Sequence, residues 1–256
     1  MSRRASPLPL AHTGRPAPFA VAAPAYGAAA AGWVAATCAL VASADELAAG
    51  AISDAGVVLA AHLVGLVLFP FAVAAAVWQL LPVMLRNDPP TEALRPLALV
   101  LLASGAPLAA GIALDVGPLA AAAAGVLGVG LLLLLAEAAA LVRGAPRGRT
   151  LVVNRPAVAL AVAHAAAAFV LGAVALGRQP APLGVPYERF LLLHLSVALV
   201  GWLTVLVAAV GRTLVPMLSL AAAAPRRRLP AAEAAIAAGL WTYAAGLASG
   251  ARGPLA

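Results

Sequence analysis

Residues 62–85 read HLVGLVLFPFAVAAAVWQLLPVML and residues 194–218 read HLSVALVGWLTVLVAAVGRTLVPML. The first stretch has no Asp, Glu, Lys or Arg, and the second has only Arg212. Crossing the hydrocarbon core of a bilayer as a helix takes ~20 apolar residues, so runs of this length read as membrane spans. Composition points the same way. The chain is 64% hydrophobic and 10% charged, whereas a soluble domain carries about 25% charged residues to cover its surface. These figures exclude a soluble enzyme and predict an all-α, polytopic membrane bundle with the lipid bilayer as its surroundings. Nothing in the sequence suggests a nucleic-acid partner. The lone Cys38 excludes an internal disulfide and a thiolate cluster.

Seven spans are predicted: 18–43, 55–85, 96–114, 116–142, 156–176, 190–220 and 231–249. The last is Ala-rich and carries Glu233 near its start. All sixteen basic residues are Arg, and their placement sets an orientation. Arg3, Arg4, Arg15, Arg86, Arg95, Arg143, Arg147, Arg149, Arg155, Arg226, Arg227 and Arg228 fall on one side of the predicted spans. Only Arg178, Arg189 and Arg252 fall on the other, and Arg212 is expected to snorkel from inside the sixth span. The positive-inside rule then predicts a plasma-membrane protein with a cytoplasmic N-terminus and an external C-terminus. The twin arginine near the start precedes a stretch too long for a signal core, so a retained first helix is expected.

The two opening stretches belong to a longer duplication. Arg15-Pro16 matches Arg155-Pro156, His62 matches His194, Pro82 matches Pro216, and Pro96 matches Pro230. The predicted organisation is a cytoplasmic tail at 1–17, a four-helix repeat at 18–142, an Arg-rich loop at 143–155 and a second repeat at 156–256. The second copy is incomplete, with three helices. An even number of spans per copy makes the repeat parallel. An incomplete copy leaves room for a partner membrane subunit or a homo-oligomer.

The histidines are the candidate functional residues. His62 and His194 stand one to two turns inside the second and sixth spans, within ~10 Å of the outer interface at 1.5 Å rise per residue. An ionisable side chain at such a place is a functional hypothesis by default. Imidazole is a usual axial ligand of haem iron and also serves copper. Small residues share their faces: Gly65 with His62, and Ala198 and Gly201 with His194. These leave space for a flat group, or equally let two helices approach closely. The competing reading gives each histidine a hydrogen bond to a backbone carbonyl or an interfacial water. His164, amid alanines, is expected to be a hydrogen-bonded packing residue, and His12 a solvated one in the tail. Glu137 is expected to snorkel or to pair with Arg143, and Asp54 to cap the second span.

With these residues in view, the second span resembles the second helix of haem-copper oxidase subunit I and its nitric oxide reductase relatives. The shared features are His62, Phe69-Pro70 and the Leu80-Leu81-Pro82-Val83-Met84 end. The sixth span, HLSVALVGW with TLVPM, looks like repeats of oxidase-like bacterial proteins. The resemblance implies parallel arcs of four helices with a metal-ligating histidine on the second helix of each. The family's adjacent His-His copper ligands, its active-site tyrosine and its third arc have no counterpart here. The resemblance therefore implies a shortened relative without an oxygen-reducing centre, with catalytic residues absent. Its expected cofactor is one b-type haem held by His62 and His194, with copper at the same pair as the variant. The expected role is electron transfer or sensing. From a different class comes a cofactor-free scaffold, or a transporter of a neutral molecule, since no charged residue is expected at mid-membrane.

Overall fold

The computed structural model describes residues 19–52, 54–85, 87–88, 92–144, 155–176, 186–219 and 229–249. Helix is the only regular structure among them. The chain divides into two compact units, Met1–Leu151 and Val152–Ala256.

In the first unit the helices are α1 (Phe19–Ala42), α2 (Ala44–Ala48), α3 (Ala55–Leu63), α4 (Phe69–Gln79), α5 (Leu81–Leu85), α6 (Arg95–Leu102), α7 (Gly105–Ala113) and α8 (Gly117–Gly144). A π-helical segment, Val64–Leu68, joins α3 to α4. The second unit holds α9 (Arg155–Leu176), α10 (Tyr187–Ser196), α11 (Val205–Ser219) and α12 (Leu229–Ser249), with a π segment, Val197–Thr204, joining α10 to α11. Among the described residues six stretches are long and apolar enough to cross a membrane: Phe19–Ala42, Ala55–Val83, Arg95–Ala113, Gly117–Gly144, Ala159–Leu176 and Arg189–Arg212. The predicted seventh span is helical, as α12, but is not one of these six.

The packing suits a bilayer. The buried positions of α1 are Ala22, Ala25, Ala29, Gly32 and Ala36, while Val41, Val100, Leu132 and Val207 are exposed. On α1 small residues face the neighbouring helices, and many large apolar side chains of the helices face outward. This is the arrangement expected where lipid is as apolar as the side chains and close backbone approach drives association.

Local chemistry explains the joints. Asp54 caps α3 as predicted, its Oδ1 accepting from Gly56 N at 2.8 Å and Val57 N at 3.3 Å. A hydrogen bond from the Ser43 side chain and these backbone N–H donors hold its carboxyl below the usual carboxylate range. Pro70 cannot donate to the carbonyl of Leu66, and its ring would clash with that carbonyl in a regular helix. The chain widens into the π segment just ahead of it. Gly105 then packs directly on the Leu66 carbonyl, at a place where a Cβ would not fit. The predicted third span is broken next to this contact, between α6 and α7, and Ser104 Oγ donates to Leu101 O at 2.6 Å there.

The α7–α8 turn is equally specific. Asp115 has φ 59°, and Val116 N returns to Gly111 O at 2.8 Å. This is a left-handed cap of the kind that favours glycine.

Candidate functional site

His62 lies on the last turn of α3, two residues ahead of the first π segment. Its Nδ1 donates to Val58 O, one turn back in its own helix, at 2.8 Å. His194 lies near the end of α10, three residues ahead of the second π segment. It reaches across to a neighbouring helix, its Nδ1 donating to Ala168 O of α9 at 2.9 Å. Gly172, one turn further along α9, makes this reach possible, because a Cβ there would stand 3.0 Å from His194 Cε1. The two histidines that the sequence pairs are therefore held differently, one by its own helix and one by its neighbour. In both, a carbonyl can only accept, so the proton sits on Nδ1 and the remaining lone pair on Nε2.

That tautomer is the one by which protein-held imidazoles are oriented toward a metal, with the distal N–H fixed by a carbonyl and Nε2 presented as ligand. Both histidines show the Nδ1 half of that arrangement. Both are half-buried. Their place beside π segments adds to this, since such widenings of a helix are frequent at functional sites. In the second π segment Thr204 Oγ1 also donates to the carbonyl of Leu199 at 2.9 Å. Among the described residues no group of three or more His, Cys, Asp or Glu is arranged to hold a metal ion, a geometry distinct from a two-histidine site.

Gly201, expected on the face of His194, serves His164 instead. The His164 ring lies against Gly201, and a Cβ at that glycine would overlap it. The two histidines of the second unit thus fit into glycine notches reciprocally, His164 of α9 at Gly201 and His194 of α10 at Gly172. His164 is hydrogen-bonded as predicted, with Nδ1 donating to Leu160 O at 2.8 Å. Its ring also stacks on Trp241 of α12, with centroids 5.8 Å apart and planes at 29°. Its Nε2 is buried without a hydrogen-bond partner. His12 lies outside the described residues.

The polar centre of the first unit differs from expectation. Glu137 of α8 does not pair with Arg143, which is exposed. Its Oε1 accepts from Arg95 Nε at 2.8 Å, and its Oε2 from Trp78 Nε1 at 2.8 Å. Arg95 Nη2 stands 2.8 Å from Oε1 in ion-pair contact, and Glu92 approaches Nη1 at 3.3 Å. The guanidinium also lies 5.7 Å from the Trp78 ring centroid. Six residues along a helix turn Arg143 well away from Glu137, whereas α6 packs directly on α8. One carboxylate therefore ties α4, α6 and α8 together.

The second unit has its own charged tie. Arg212 does not simply snorkel; its Nη2 stands 2.8 Å from Glu233 Oε1, joining α11 to α12. This pairing accounts for a glutamate near the start of the predicted seventh span.

The chain matches no protein-family model, no curated protein and no solved structure.

Proposed function

We propose that this multi-pass helical membrane protein binds one b-type haem, or a copper ion, with His62 and His194, the two residues that the sequence pairs, as its ligands. In this reading it serves electron transfer or sensing, with no catalytic centre of its own. The carrying observation is the tautomer of His62, which commits Nδ1–H to the Val58 carbonyl just ahead of a π segment, the state in which an imidazole offers Nε2 to a metal. The resemblance of the second and sixth spans to haem-copper oxidase subunit I supports the same pair. A haem so held supplies a one-electron centre whose potential is set by its axial ligands and surroundings. The chain's own part is to fix both rings and to surround them with apolar helices of low dielectric.

The reading includes the parallel repeat and the orientation with a cytoplasmic N-terminus. The matched prolines and histidines support the first. The twelve arginines on one side against three on the other support the second.

A cofactor-free reading is favoured by a different observation, the glycine notches that seat His164 and His194. There the imidazoles act as polar pins between helices, and the protein is a scaffold in the membrane or a transporter of a neutral molecule. An optical spectrum of the detergent-purified protein, oxidised and then dithionite-reduced, decides between them. A sharp haem band is expected, lost or converted to high spin in both His62→Ala and His194→Ala. A colourless protein from haem-replete cells, also free of copper by metal analysis, would leave the pins as the function of these histidines.

A further inference from the structure

The second unit contains a polar atom that its fold leaves unused. His164 is 2% exposed, and with its proton on Nδ1 its Nε2 is a hydrogen-bond acceptor, buried and unpartnered. Gly201 and Trp241 pack against its ring, and the Leu240 side chain lies beside Gly201. A buried water is held by two to four polar partners, and no hydrogen bond reaches His164 Nε2 among the described residues. An unmet acceptor in such surroundings is costly to leave unmade. An occupant that suits it carries one donor on an otherwise apolar body.

Two further features narrow the occupant. Trp241 is stacked on the imidazole yet 49% exposed, so this ring reaches from His164 to the outside of the unit. An indole beside an imidazole is also a platform for a flat ring. Arg212 and Glu233 of the same unit are paired with each other. Glu233 lies about 12 Å along α12 from Trp241 at 1.5 Å per residue, and among the described residues no hydrogen bond or ion pair brings a charged side chain to His164.

We propose that His164 and Trp241 form a binding site for a neutral, lipid-soluble, flat-ringed hydroxyl donor, the chemistry of a phenol or hydroquinone. The ligand hydroxyl donates to His164 Nε2, and its ring takes a place against Trp241. Gly201 leaves the imidazole edge clear of a side chain on the facing helix. The site is separate from His62 and His194, so it and the haem reading can fail independently.

The test is binding of a tritiated decyl-substituted benzohydroquinone to the full chain in lipid nanodiscs, with empty discs subtracting partition into lipid. The expected result is a saturable component of one site per chain. It weakens by about tenfold or more in His164→Leu and in Trp241→Ala, the scale of one buried hydrogen bond or one ring contact. His164→Gln, whose amide oxygen still accepts, retains binding better than His164→Leu. The oxidised quinone, which has no hydroxyl to donate, binds the unaltered protein about tenfold or more weakly. This last comparison holds even where a variant fails to fold. Uptake no greater than that of empty discs, equal binding of quinone and hydroquinone, or a saturable component untouched by His164→Leu or Trp241→Ala would each overturn the proposal.

Discussion

Glu137→Ala is expected to cost the protein about 3–5 kcal/mol, the largest effect of any single substitution in the first unit. The reason is what it strands. Arg95 is 1% exposed, so its guanidinium has no water to turn to when the carboxylate is removed. Its other ionic neighbour, Glu92, is 3.3 Å away on a side chain 52% exposed, and such a contact is screened and weak. Trp78 is fully buried and loses the acceptor of its indole N–H. Glu137→Gln separates the two losses, since the amide oxygen still accepts from one donor while the charge is gone, and it falls between wild type and alanine. Removing both charges with Arg95→Leu and Glu137→Leu recovers much of the loss, because a buried pair replaced by apolar side chains no longer has a stranded ion. Equilibrium unfolding in mixed micelles measures all four proteins. A Glu137→Ala variant within about 1 kcal/mol of wild type would show that this carboxylate does not hold the three helices together.

How much of this was legible beforehand depended on the range of each interaction. The apolar runs announced the helices, because helix length in a bilayer is set by hydrocarbon thickness and is written locally in sequence. Asp54 announced itself as a cap for the same reason, its partners lying two and three residues away. Glu137 invited an assignment to Arg143, the nearest cation in sequence on its own helix. Its actual partners lie 42 and 59 residues away, and sequence spacing carries no record of which helix packs on which. Arg212 and Glu233 hid each other likewise: one looked like a snorkelling residue, the other like a flaw in the last span. The π segments were missed although Pro70 signals one, because a proline within a membrane helix is as readily absorbed by a simple kink. The difference between His62 and His194 was also hidden. Both sit in matching stretches, and only the glycine on the facing helix, Gly172, lets one of them reach across.

The same logic makes Gly105→Ala the second most damaging change expected, although it adds a single methyl group. The methyl would overlap the Leu66 carbonyl, and a backbone atom in a packed helix cannot rotate away as a side-chain end can. The helix pair must separate, at a cost of about 1–3 kcal/mol for overpacking. That separation also strips the cover from a carbonyl that Pro70 has already deprived of its helical donor. Gly125→Ala is the matched control. It lies within α8 with nothing within 4 Å of its added Cβ, and the better helix propensity of alanine makes it neutral or stabilising by up to about 1 kcal/mol. Thermal unfolding of the two variants in one detergent is therefore expected to move in opposite directions. Should both shift alike, the break between α6 and α7 is not set by close approach to the π segment, and glycine at 105 would be serving helix flexibility alone. Should they diverge, His62 gains a mechanical meaning. Its helix widens immediately after it, and the widening is held in shape by a contact that tolerates no side chain at all.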